Sequence, residues 1–301
     1  MSITNEGKRL GTCALCRKQD MLEKSHIVPK FIFRRIMKNS PSGFMRNPYD
    51  PDVRLQDGSK EYLLCGDCED RFSKLETKFA NKVFHPYKNE KIKDFEYEEW
   101  LIRFIVSVNW RTLYLDLLEF LKNGNIDRDT LEEIIKNEEV LREFLLEKRN
   151  DIGNNEVHMF FFDDIKEATN DIKNSHPHSF ILNSSFDYVY TYSFEKEKGI
   201  SIIANLSGIF VYTIMNKLSV ESEENTLVNL SGGNFKANEQ KCSHKVVFDT
   251  FYMVQDANKE KQNISQTQVD KISKSLEKNK DKLEKSEIFK HIKKDIDLQE
   301  S

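Results

Sequence analysis

Apolar residues recur at intervals of three and four between Tyr97 and Lys122, where Trp100, Leu101, Phe104, Ile105, Val108, Leu115 and Leu118 fall on one helical period. Asn123-Gly124 supplies the stop. A second helix is expected from about Asp129 to Lys148, and Asp151–Asn155 breaks the pattern. Beyond it the period shortens. Val157–Phe162, Ser179–Leu182, Tyr188–Ser193, Ile200–Leu206 and Ile209–Ile214 read as strands, Val246–Val254 as a last one, and Asp163–Asn174 as a short helix among them. Upstream, a short strand is expected over Ser25–Val28, stopped by Pro29, then a basic helical stretch from Lys30 to Met37. Residues 39–60, with Pro41, Gly43, Pro48, Pro51 and Gly58, are loop-like. Glu61–Leu64 reads as a strand, and Phe72, Leu75 and Phe79 give the following helix, which His85-Pro86 is expected to end.

This order implies an α+β chain in four parts. They are a small N-terminal domain (1–95), a helical segment (96–150), a mainly antiparallel accessory sheet domain (151–255) and a tail (256–301) almost without aromatics, expected as a solvated helix or partly disordered. The 301 residues suffice for two domains of ordinary size. No apolar run approaches membrane-spanning length, and Met1–Asn5 lacks the basic and apolar regions of a secretory signal, so a cytoplasmic protein without membrane contact is expected. The net charge of −4 hides an asymmetry: residues 1–95 carry 19 Lys and Arg against 13 Asp and Glu, the rest 27 against 37. A basic first third suits a nucleic-acid partner, whereas the acidity of the remainder argues against broad duplex contact there. Residues 96–255 hold no catalytic motif and are left for substrate recognition, a protein partner or self-association.

Four of the five cysteines form two pairs, Cys13-x-x-Cys16 and Cys65-x-x-Cys68, separated by 48 residues. Each pair chelates one metal through a tight knuckle, and two knuckles close a tetrahedral structural zinc site. A cysteine turn, a hairpin, then cysteines opening a helix is the layout of a treble-clef module. Cys242 is left as an incidental thiol. His158, His176, His178 and His244 are scattered, and His176-Pro177-His178 reads as a loop.

Between the pairs stands Ser25-His26-Ile27-Val28-Pro29, and Leu63-Leu64-Cys65-Gly66-Asp67-Cys68 follows. With Cys13-Ala14-Leu15-Cys16, these residues resemble the HNH (His-Me finger, ββα-metal) endonucleases that carry a four-cysteine scaffold. The likeness covers about residues 10–87. It implies hydrolysis of DNA phosphodiester bonds with His26 as general base and a Mg2+ or Mn2+ ion on the phosphate, in a role such as bacterial defence. Two positions depart from the family pattern. Ser25 stands where the family has a metal-binding Asp, and Glu69 where it has His or Asn. Glu69 is therefore the expected ligand of the catalytic ion, with Glu76, Asp57 and His85 as further candidates and Asn47 as a stand-in for the middle Asn. Lys30, Arg34 and Arg35, with Arg46 and Arg54 in the loop, are placed to bind phosphates. The alternative is a non-catalytic zinc module that binds nucleic acid or a protein partner.

Overall fold

A computed structural model describes residues 8–40, 42–47, 50, 52–162, 170–261 and 264–300. Met1–Asn5, the loop prolines Pro41, Pro48 and Pro51, and most of the helix expected over Asp163–Asn174 lie outside them.

The chain opens with β1 (Arg9–Thr12) and β2 (Gln19–His26), followed by helix α1 (Lys30–Asn39) and a two-stranded excursion, β3 (Met45–Arg46) with β4 (Arg54–Leu55). Then β5 (Lys60–Cys65) pairs with β2, so that β1, β2 and β5 form one antiparallel sheet, and β5 runs directly into α2 (Gly66–Phe79). The helix does not stop at His85-Pro86. A π-turn over Ala80–Phe84 carries it into α3 (His85–Glu90), and the His85 N–H bonds back to Ala80 O. Pro86 follows the π-turn directly, as the second residue of α3.

A short β6 (Phe95–Tyr97) precedes α4 (Trp100–Asn123), which Gly124 ends in the left-handed conformation, and α5 (Arg128–Leu145), capped by Asp127. Residues 100–113 of α4 are buried almost without interruption, the mark of a helix enclosed on all sides. One side meets α2, where Phe79 and Phe104 stack with centroids 3.9 Å apart, one meets α5, and one meets the larger sheet.

That sheet contains β7 (Glu156–Phe161), β8 (Ser185–Phe194), β9 (Glu197–Leu206) and β10 (Ile209–Asn216) in the antiparallel order β7-β10-β9-β8. Alternation divides its residues. Val157, Met159, Ile202, Ala204, Ile209 and Val211 join the core around α4, while Phe210, Tyr212, Ile214 and Ile203 face the opposite side. Between β7 and β8 lie α6 (Asn170–Lys173) and α7 (Pro177–Leu182). Ser179–Leu182, expected as a strand, is thus helical. After β10 come the short strands β11 (Glu223–Glu224), β12 (Gly233–Phe235) and β13 (Lys241–Cys242), then α8 (Lys245–Lys261), which takes in Val246–Val254, also expected as a strand. Ile181 and Val246 cover the sheet face opposite α4 from these two helices. Both segments are apolar because they lie on the sheet rather than in it.

The tail forms α9 (Gln266–Lys278), α10 (Lys280–Glu284) and α11 (Glu287–Glu300). The tail is helical as expected and α9 buries no residue, but α11 buries Asp295 and Leu298. The hydrophobic core itself runs unbroken from Cys13 to Ala237, joining the cysteine-bearing sheet, α4 and one face of the larger sheet. No helix among the described residues is long and apolar enough to cross a membrane.

Candidate functional site

The four cysteines converge. Cys13 and Cys16 lie in the β1–β2 turn, where the Cys13 N–H bonds to Lys18 O (2.8 Å) and the Arg17 N–H to Cys13 O (2.9 Å), with Arg17 at positive φ. Cys65 ends β5 and Cys68 lies in the first turn of α2. All four sulfurs lie within 4.8 Å of one another, and Cys16 Sγ is 3.8 Å from Cys65 Sγ. A tetrahedron with metal–sulfur bonds of about 2.3 Å has sulfur–sulfur edges of about 3.8 Å. All four are free thiols. A hydrogen bond from the Cys68 thiol, with burial opposing and backbone N–H groups helping, holds the Cys13 thiol down to about 4. The same bond pushes Cys68 up. Four such groups this close cannot all ionise unaided, and a divalent cation among them removes the conflict. The cluster can hold a metal ion such as zinc.

His26 is the last residue of β2, opposite Lys60 on β5. Its ring lies over Phe33 of α1 (centroids 6.5 Å apart), and its Nε2 is 2.9 Å from Asp57 Oδ1. Asp57 also accepts from the Gly58 N–H (2.9 Å) and pairs with Lys60. Burial works against ionisation of Asp57, yet the bonds from Lys60, His26 and Gly58 outweigh it and hold the carboxyl down to about 2. Gly58 is required here, because a Cβ on it would lie 2.0 Å from the Phe33 ring that supports His26. Among the described residues no group bonds to the Nδ1 of His26.

Ser25, one residue earlier, points to the other face of the strand. It is fully buried and donates to Glu69 Oε2 across 2.7 Å. The two positions where the family pattern differs therefore meet, but away from the imidazole. Close by is Arg111 of α4, 1% exposed along its side chain. Its Nη1 donates to His26 O (2.7 Å), its Nε to Ser107 O (3.1 Å), and its Nη2 pairs with Glu76 Oε1 at 2.9 Å. Burial pushes the Glu69 carboxyl up against the Ser25 bond and the charge of Arg111. Nothing in this setting supports the magnesium or manganese ion expected at Glu69. Ser25 bonds to the carboxylate, and the charge of Arg111, which pairs with Glu76, opposes a further cation there. Nothing in the sequence around Arg111 signals its partners 35 and 85 residues upstream.

The remaining candidates divide. Lys30 and Arg34 are exposed on one face of α1 beyond Pro29. Arg35 is occupied: it donates to Asn89 Oδ1 (2.8 Å) and Glu287 Oε1 (2.6 Å). Arg54 lies over Phe44 (4.2 Å) and, with Arg46, reaches Gln268 of the tail. Asn47 accepts from the Asp50 N–H in the β3–β4 excursion, and His85 stands edge-on to Phe31 and Phe84. His176 precedes α7 with positive φ, and His178 inside α7 pairs with Asp295.

No family model matches the chain, and neither does a curated protein or a solved structure.

Proposed function

We propose that the N-terminal module is a phosphodiester-hydrolysing site of the HNH kind, acting on DNA, with His26 as general base and the four cysteines holding a structural zinc ion. The observation that carries the reading is the His26–Asp57 pair at 2.9 Å, mounted between the two cysteine pairs. An ionised Asp57 favours the tautomer with hydrogen on Nε2, leaving the Nδ1 lone pair to accept a proton from an attacking water. Asp57 thus orients the base, and Lys60 beside it offers a cation to the phosphate. The exposed Lys30 and Arg34 extend that charge along α1. The zinc, four-coordinate with thiolate, would keep no open position and would serve as scaffold.

The second reading is a non-catalytic zinc module that binds nucleic acid or a protein partner. It is favoured by Arg111, which neutralises the acids on α2 that a catalytic cation would need.

One assay separates the two. Full-length protein is incubated with plasmid DNA, with and without Mg2+ or Mn2+, beside His26→Ala and Asp57→Asn variants. Nicking that falls by roughly two to three orders of magnitude in His26→Ala supports the base. Equal nicking by parent and His26→Ala removes that role. DNA binding without cutting by the parent supports the module. With one equivalent of zinc supplied, metal analysis should return about one zinc per chain in a thiolate environment, and that thiolate-bound zinc should be lost when Cys13 and Cys16 are replaced by serine.

A further inference from the structure

Away from the cysteine module, β7 places Glu156 and His158 two residues apart, on one face of the strand. The His158 ring stacks on Tyr212 of β10 (centroids 5.0 Å apart), and its Nδ1 is 2.9 Å from Thr226 Oγ1. These contacts aim Nε2 at Glu156 Oε2, 3.3 Å away. Glu223 of β11 completes the group: one ligand atom from each of the three residues lies within 4.8 Å of the others. The Glu223 side chain is 2% exposed, and its Oε1 is buried without a hydrogen-bond partner among the described residues. The cation present is the ammonium of Lys217, which pairs with Glu156 (3.3 Å) and with the other oxygen of Glu223.

A buried carboxylate oxygen with nothing bound to it is costly. One lysine spans the two acids but leaves that oxygen unmet. An imidazole with two carboxylates is a ligand set for first-row divalent ions, and its ring is already held by a neighbour on the far nitrogen, as metal-binding imidazoles usually are. Metal–ligand bonds of about 2.0–2.2 Å put neighbouring ligand atoms roughly 3.0–3.5 Å apart. The Glu156–His158 pair is already in that range at 3.3 Å.

We propose that Glu156, His158 and Glu223 bind a first-row divalent transition-metal ion, which displaces the Lys217 ammonium. Lys217 can leave, because its side chain is 31% exposed. Three protein ligands keep a coordination position open to water, on the side where Glu156 is exposed. This site is separate from the thiolate cluster and from His26, and it stands whether or not the nuclease reading does.

Mn2+ is the discriminating probe, because it prefers nitrogen and oxygen ligands to thiolates. Full-length protein, given one equivalent of zinc to fill the thiolate cluster and carrying Asp57→Asn to remove the hard ligand beside His26, is titrated with Mn2+ while free Mn2+ is followed by electron paramagnetic resonance. A single bound ion is expected, weakened at least about tenfold by Glu223→Gln. Lys217→Met removes the competing ammonium and should tighten binding severalfold. This gain cannot arise from a folding defect. Mn2+ binding unchanged by Glu223→Gln would overturn the site. So would an absence of binding in both the Asp57→Asn protein and its Lys217→Met derivative, which would mean that the three side chains do not form a metal site even when the competing ammonium is gone.

Discussion

Arg111 brings a full charge into a place that water does not reach. Its guanidinium is balanced by Glu76, bonded to the carbonyls of His26 and Ser107, and laid over the Phe72 ring at 5.3 Å. Removing one partner of such a pair leaves the other buried and uncompensated, which typically costs about 3–5 kcal/mol. Arg111→Met should therefore destabilise the protein by that order. Glu76→Gln should cost less, because Glu76 is partly exposed and keeps an amide for the arginine. The double variant should cost less than the sum of the two by roughly 1–3 kcal/mol, measured by chemical denaturation of all four proteins. Simple additivity would mean that the two residues do not act as a pair. The same residue marks the limit of sequence reading. The cysteine cluster was legible because the spacing within each pair is local and chemically restrictive. The acid beside the imidazole is Asp57, 31 residues away in a loop, and the cation against Glu76 comes from another helix. No periodicity encodes contacts of that kind.

At the scale of elements, α4 explains why the motif-bearing third and the sheet share one core. Four consecutive residues point four ways: Asn109 to Thr213 of β10 (2.8 Å), Trp110 to Glu138 of α5 (3.0 Å), Arg111 to β2 and α2, and Thr112 to Asp187 of β8 (2.8 Å). Its existence was readable from apolar spacing, but its burial on every side was not, since that depends on what surrounds it. The two segments misread as strands failed for a related reason: a short apolar run suits a strand in the sheet and a helix lying on it equally well. The α4–β8 contact also carries a pH dependence. Asp116 accepts the Val189 N–H at 2.7 Å, and burial, with Asp187 and Glu119 adding repulsion, pushes its carboxyl up to about 6. A carboxyl whose folded value is raised binds its proton more tightly in the folded state. Its stabilising contribution is therefore greatest below the ordinary carboxylate range and is lost as pH rises through about 6. Asp116→Asn, which keeps an acceptor for Val189, should then be more stable than the parent by roughly 1–2 kcal/mol at pH 7–8. The two should converge near pH 4. Thermal unfolding at both pH values checks this, and an advantage that persists at pH 4 would exclude the titration of Asp116 as its source.

Across the whole molecule, the tail acts as a strap. The Ser265 N–H bonds to Asp52 (2.9 Å), Gln268 takes Arg46 and Arg54, Glu287 takes Arg35 and Asn39, and His291 bonds to Asn183 (3.0 Å). Composition alone, poor in aromatics and rich in Lys and Glu, gave no sign of this, because the strap is held by polar contacts more than by apolar burial. Its anchor is Asp295, fully buried, which accepts the backbone N–H groups of His178 and Ser179 at 2.8 Å each and pairs with His178 Nδ1 at 2.9 Å. One side chain on α11 thus caps α7, which in turn covers the larger sheet. Asp295→Ala removes the acceptor of both N–H groups and the carboxylate paired with the imidazole, and should cost roughly 2–4 kcal/mol. The loss should be local: hydrogen exchange should quicken in α7 and α11 while the β2 and β5 amides of the cysteine module keep their protection. Burial opposes ionisation of Asp295, but its bonds from His178 and Ser179 hold the carboxyl below its ordinary value. The stabilisation is therefore present above the ordinary carboxylate range and lost as pH falls below it, so parent and variant should become alike in acid. Equal loss of protection in β2 and β5 at neutral pH would instead mean that the strap supports the whole fold, and that the cysteine module cannot hold its shape without it.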